Sequence, residues 1–121
     1  LQYTECRDEI ARLKTEHGAV VHHWQDAIDD YDETAALVMA LDLVITVCTA
    51  VVHLGGGLGK PVWVMAPYSP GWRYAMLPNG MPWYPSVRVF RQTAPREWTG
   101  VQERVLSELR RFNDEVLLVT S

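Results

Sequence analysis

Two apolar stretches dominate the middle of the chain. Leu43–Val47 and Val62–Ala66 are rich in β-branched residues and show no polar alternation. That pattern predicts strands covered on both faces. Between them the residues become small. Thr46–Ala50 marks the end of one strand and the start of a helix, and Val51–Gly59 carries glycines in its second half. Glycine is a poor helix former but lets a helix lie close to a sheet or a ligand. Lys60-Pro61 stops that helix. Strand, short helix and strand make the middle of a βαβ unit. Open α/β sheets of this kind take their ligands at the carboxyl ends of strands and the amino ends of helices.

Helical spacing governs the flanks. Glu5–Glu16 predicts an amphipathic helix with Cys6, Ile10 and Leu13 along one side, closed by His17-Gly18. Ala19–His22 reads as a short strand, and Leu1–Tyr3 suits the end of another. Trp24–Asp32 is an acidic loop whose Asp29, Asp30 and Asp32 are available to cap the next helix, Glu33–Leu41. Beyond the central unit, Tyr68–Ser86 is a long loop rich in proline and aromatic residues, and Val87–Arg91 is a last strand. Thr99 with Gln102 resembles a capping box opening a helix over Gly100–Phe112, with Val101, Val105, Leu109 and Phe112 inward. Val116–Ser121 is apolar but too short to assign. Alternating strands and helices predict a Rossmann-like three-layer α/β/α sandwich with a mostly parallel sheet.

Composition narrows the function classes. A chain of 121 residues has room for one domain, and 48% hydrophobic content is too high for disorder. The net charge of −4 argues against nucleic acid as a partner, since phosphate backbones need a basic surface. No apolar run reaches membrane-spanning length. Cys6 and Cys48 lie in different kinds of element and read as reduced thiols of a cytoplasmic protein. The opening at Leu1-Gln2-Tyr3, without methionine, reads as a piece of something longer.

The run Gly55–Pro61 invites comparison with phosphate motifs and fits neither. Leu54 stands where a P-loop needs glycine, and Pro61 follows the lysine. The dinucleotide fingerprint places its glycines at the turn before the helix, whereas these come late in it. Close helix–sheet packing explains Gly55–Gly57 better. Cys48-Thr49-Ala50 is the stronger site, because amides at a helix start point outward and the dipole favours an anion. A diphosphate would sit on the Thr49 and Ala50 amides and the Thr49 hydroxyl. His53 falls on the same helix face one turn further in. The bland alternative is that Thr49 caps the helix and His53 packs against a neighbour.

A rival reading takes Thr46–Ala50 as a nucleophile elbow around Cys48, whose thiol pKa a helix amino terminus would lower. His53, on the helix itself, is poorly placed as its base, and no histidine follows it. Adjacent His22 and His23 on a strand would point to opposite faces, so with Asp26 they predict no metal site. In the aromatic loop, Trp83 reads as packing, while Arg73 between Trp72 and Tyr74 could hold a phosphate or carboxylate.

Taken together these residues resemble a known family. Asp32 with Thr34–Val38, Leu41–Val47, Thr49-Ala50-Val51, His53-Leu54, Gly56 and Leu58–Trp63 are similar to glycosyltransferase family 9, the heptosyltransferase-like group. The closer resemblance is to the glycosyltransferase-like domain that follows tetratricopeptide repeats in bacterial proteins. It continues through Trp72-Arg73, Pro82–Pro85, Phe90–Gln92 and Trp98, and so covers nearly the whole chain. The resemblance implies a GT-B architecture of two facing Rossmann-like domains, with this chain as the carboxyl-terminal, donor-binding half. The donor would be a nucleotide diphosphate sugar, held at Thr49 and Ala50 with His53 beside it and Cys48, Trp72 and Arg73 around the cleft. Neither metal nor separate cofactor is expected. The catalytic base and acceptor side would belong to the missing amino-terminal half, and a homodimer is one way for an isolated half to cover its cleft face. Where the family pattern has aspartate this chain has Cys48. That departure sets a second expectation beside the transferase: a catalytically inactive sugar-nucleotide or protein-interaction module attached to helical repeats.

Overall fold

The computed structural model describes residues 4–120, so the strand end expected at Leu1–Tyr3 lies outside them. Those residues group into two units that divide between Ala40 and Leu41.

The first unit is helical. Helix α1 (Arg7–His17) ends where Gly18 takes φ 64°, and the Gly18 N–H donates to the Lys14 carbonyl at 3.0 Å. A side-chain-bearing residue in that left-handed position would cost about 1–2 kcal/mol. The helix forms where its pattern predicts, yet none of its residues is buried, and Leu13 is exposed. Helices α2 (Asp26–Asp29) and α3 (Tyr31–Ala40) are joined through Thr34, whose Oγ1 bonds to the carbonyls of Ala27 and Asp30. Of the candidate caps, Asp30 is the one used: its Oδ1 accepts the Asp32 N–H at 2.8 Å and the Glu33 N–H at 3.2 Å. Asp29 instead accepts from Gln25 Nε2 at 2.9 Å. The strand expected at Ala19–His22 does not form. A strand needs a neighbour for its backbone groups, and no described residues pair with this stretch. His22 stacks on Trp24 instead, ring centroids 5.2 Å apart.

The second unit is a small α/β fold. Strands β1 (Val44–Val47), β2 (Val62–Ala66) and β3 (Val87–Arg91) form a parallel sheet in that order. The register sets Val44 against Val62 and Val62 against Val87. Helix α4 (Ala50–Gly57) crosses from β1 to β2, and α5 (Thr99–Thr120) follows β3. Side chains alternate along a strand, so Val62, Val64 and Ala66 of the central strand share one face and all three are fully buried. On the opposite face Trp63 joins Phe90, Val101 and Val105 in the core against α5, with Leu109 and Phe112 at its margin. Trp63 meets Phe90 at 5.5 Å and the edge of Phe112 at 5.9 Å. Burial of a side chain such as Phe90 contributes about 1.5–3 kcal/mol.

Two differences from the sequence reading are physical. Helix α5 does not stop at Phe112, because neither glycine nor proline interrupts it and Val116–Val119 continue the same helix. Its start is not a Thr99–Gln102 capping box either. Thr99 is already helical, and the Glu97 carboxylate accepts the Gly100 N–H at 3.1 Å. The long loop after β2 doubles back along β3: the Asn79 carbonyl accepts the Val89 N–H at 3.0 Å, and Gly80 bridges Arg88. That return covers an edge that would otherwise leave strand groups unpaired. Among the described residues no helix is long and apolar enough to cross a membrane.

Candidate functional site

Strand β1 ends at Val47 and α4 begins at Ala50, leaving Cys48 and Thr49 as the connecting turn. Thr49 is extended, with φ −132° and ψ 174°, which turns the chain from strand into helix. It occupies the cap position without capping, since no side chain bonds to the opening amides of α4. Its hydroxyl lies 3.2 Å from Thr46 Oγ1, which in turn donates to the Val47 carbonyl at 3.1 Å. The Thr49 side chain therefore does not cap α4; the Val52 N–H donates to the Thr49 carbonyl at 3.1 Å, and the amides before it carry the positive end of the helix.

The loop after β2 supplies the other wall. Ser69-Pro70-Gly71 leads into a short 3₁₀ turn, Trp72–Tyr74, closed by the Tyr74 N–H on the Gly71 carbonyl at 3.1 Å. Gly71, Arg73 and Tyr74 thereby meet Cys48, Thr49, Ala50 and His53 around one cavity of about 470 Å³. It lies at the carboxyl end of β1, where parallel sheets place their ligands.

Trp72 does not line that cavity. It supports Arg73 from outside: the guanidinium lies 5.1 Å from the Trp72 ring centroid, and Trp72 stands edge-on to Trp83 at 6.4 Å. The Trp83 indole N–H donates to the Arg73 carbonyl at 3.2 Å. Both tryptophans remain largely exposed, and together they fix the arginine's backbone and side chain.

Tyr74 is the cavity residue that the sequence reading did not single out. It is 5% exposed and lines the cavity together with Cys48. Burial pushes its pKa well above the ordinary phenol range, the Cys48 hydrogen bond and charge add to that, and Arg73 opposes. A glycine followed by an aromatic turn was visible in the sequence. Which aromatic ring turns inward was not.

His53 sits one turn into α4, half-buried, with Nδ1 3.4 Å from the Tyr84 hydroxyl. The two rings meet edge to face at 5.8 Å. Gly56 explains how Tyr84 gets there: a Cβ on Gly56 would stand 2.5 Å from Tyr84 Cγ. Close packing is thus the reason for Gly56, but its partner is the aromatic loop rather than the sheet. Gly57 has open space around it.

The lining carries backbone amides, a hydroxyl, an imidazole and a guanidinium, with no carboxylate. That set favours an anion. The elbow alternative has no hydrogen-bonded base among the described residues, since His53 Nδ1 faces the Tyr84 hydroxyl at 3.4 Å. Among the described residues no group of histidine, cysteine, aspartate and glutamate could hold a metal ion.

Among known proteins, Protein FlbA of Caulobacter vibrioides is 39% identical to this chain over 116 residues. The similarity takes in 93% of this chain and 19% of FlbA, so the chain spans about a fifth of that relative's length. No family model matches the chain, and no solved structure matches it.

Proposed function

We propose that the chain is the donor-binding half of a GT-B glycosyltransferase-like protein, holding the diphosphate of a nucleotide sugar in the cavity between β1, α4 and the Gly71–Tyr74 turn. One observation carries the reading: Thr49 and Ala50 share an anion-favouring cavity with Arg73, although the two stretches are far apart in sequence. The amides and hydroxyl of the Cys48–Ala50 turn would bind phosphate oxygens, and His53 would donate to one of them or to the leaving oxygen. Arg73 would offset charge that the helix dipole does not. In the full-length protein, a cytoplasmic enzyme with tetratricopeptide repeats, the facing half would bring the acceptor and the base.

Calorimetric and NMR titration of the chain with ADP, UDP and GDP tests this. Movement of the Thr49, Ala50 and His53 signals with one nucleotide supports the site and identifies the base. Silence with all three in a folded sample refutes it. A second reading, a module that binds sugar nucleotides or proteins without catalysis, is favoured by Cys48 standing where the resembled family pattern has aspartate. Turnover by the full-length protein that His53→Ala abolishes would decide for the enzyme.

A further inference from the structure

The loops that leave β2 and β3 border a second, open cleft of about 400 Å³, lined by Pro67, Tyr68, Pro95, Arg96 and Trp98 with Gln92 at its base. Gln92 follows β3 directly and ties the strand exits together. Its N–H donates to the Ala66 carbonyl at 3.0 Å, and its Oε1 accepts the Tyr68 N–H at 3.0 Å. The side chain is only 5% exposed, yet its Nε2 has no hydrogen-bond partner. A buried amide without an acceptor is costly, so the site holds an unanswered pair of donors. Around it Tyr68 is 53% exposed and Trp98 38%. Two aromatic rings left partly bare beside such a donor need an explanation. The wall also contains a strained turn, with Arg96 at φ 64°. Side-chain-bearing residues keep that conformation where the surrounding structure imposes it, often at ligand sites.

We propose that this cleft is a saccharide subsite. A pyranose packs its C–H face on an aromatic ring and presents hydroxyl oxygens at its edge, which is what the Tyr68 and Trp98 rings and the Gln92 Nε2 donors require. A nucleobase fits the donors less well. An amide reads a base edge by pairing its oxygen and nitrogen side by side, and the Gln92 oxygen is already committed to the Tyr68 N–H. The shared chemistry is a sugar ring, which arrives either as part of a nucleotide sugar or as a free or acceptor saccharide. In the first case the proposal extends the donor reading above. In the second it stands without it.

The test is an NMR titration of the chain labelled with nitrogen-15, following the Gln92 side-chain amide and the Trp98 indole N–H alongside the Thr49 and Ala50 amides. The probes are methyl glycosides of glucose, N-acetylglucosamine and mannose, then UDP-glucose, ADP-glucose and GDP-mannose, then the bare nucleotides. Movement of Gln92 and Trp98 with methyl glycosides supports a free or acceptor saccharide, whatever Thr49 and Ala50 do. Movement with a nucleotide sugar, absent with its bare nucleotide, supports the donor's sugar. Movement with bare nucleotides alone overturns the proposal in favour of a base, and no movement with any probe overturns it outright. Gln92→Glu keeps the acceptor for Tyr68 and removes the donors, and should abolish the response. Trp98→Ala serves the same purpose should Gln92→Glu fail to fold, and a saccharide response unchanged in Trp98→Ala would also sink the assignment.

Discussion

The Tyr84 hydroxyl stands 3.4 Å from His53 Nδ1, joining the long aromatic loop to the helix that opens the anion-favouring cavity. A phenol donating to Nδ1 leaves the ring proton on Nε2, the nitrogen then free to donate into the cavity. Tyr84→Phe keeps the ring against α4 and removes that bond. Nitrogen-15 spectra should show His53 as the Nε2–H tautomer in the wild type and a mixture in the variant. On the donor reading, nucleotide affinity falls with it by about 1 kcal/mol, roughly fivefold. Identical His53 shifts in the two proteins would remove Tyr84 from the site.

Gly56 and Gly57 separate packing from helix propensity. At Gly56 an added Cβ meets Tyr84 Cγ at 2.5 Å, so Gly56→Ala must displace the ring. Overpacking of that kind costs about 1–3 kcal/mol, which exceeds the roughly 1 kcal/mol gained by replacing glycine within a helix. Gly57 has nothing within 4 Å, so Gly57→Ala keeps a small gain, about 0.5–1 kcal/mol reduced by its place at the helix end. Urea denaturation of the two variants should therefore shift in opposite directions. Equal effects would mean that Tyr84 does not rest on α4.

Much of the site could be read from the chain, and what could not has a definable cause. The βαβ unit was legible because buried parallel strands carry continuous apolar runs and the residues between them turn small. Thr49, Ala50 and His53 followed from local spacing, since a helix fixes which residues share a face. Arg73 was legible as a cation among aromatics, but its distance from Thr49 was not, because loop geometry decides it. Tyr74 was missed for the same reason: its burial depends on the turn closed by Gly71, not on any periodic pattern. The expected strand at Ala19–His22 fails where propensity lacks a partner, and α5 outruns its expected end because only its core-facing half had a period to follow.

Burial and Cys48 hold Tyr74 in its neutral form, and this gives the alkaline side of the stability curve a direction. The unfolded chain ionises its phenol near the ordinary value of 10.0, whereas the folded protein resists. The raised folded pKa means that the stabilisation is fully present below that value and is lost as pH rises towards the displaced one. Unfolding free energies measured between about pH 9 and pH 11.5 should decline in the wild type, and the decline should be smaller in Tyr74→Phe. Parallel declines would show that Tyr74 is not the group responsible.

On the acid side the informative group is Glu108. Arg88 donates to its Oε2 at 2.8 Å and Arg111 approaches Oε1 at 3.3 Å, and the Arg88 hydrogen bond above all holds the carboxyl below its usual range. A depressed folded pKa contributes stability present above the ordinary carboxylate value and lost as pH falls through the depressed one. Arg88 also lies over Phe90, 4.8 Å from the ring centroid, so the pair fastens α5 to the exposed end of the β3 core. Melting temperatures followed from about pH 6 down to pH 2.5 should drop less steeply in Glu108→Gln than in the wild type. An unchanged slope would assign the acid sensitivity to other carboxylates.

The Trp83 indole N–H bonds to the Arg73 carbonyl, and Trp72 lies beneath the guanidinium, yet neither tryptophan lines the cavity. If Arg73 meets a diphosphate, three substitutions should rank. Arg73→Ala removes a charge-assisted bond and should weaken nucleotide binding by about 1.5–3 kcal/mol, or roughly tenfold to a hundredfold. Arg73→Lys keeps the charge but loses the planar fork and its stacking on Trp72, and should fall between Ala and the wild type. Trp83→Phe keeps an aromatic edge against Trp72 and loses only the indole donor, so it should cost least, about 1 kcal/mol. Titration with whichever nucleotide binds the wild type reads all three. Trp83→Phe binding as weakly as Arg73→Ala, with its melting temperature intact, would mean that the turn's position matters more than the guanidinium it carries.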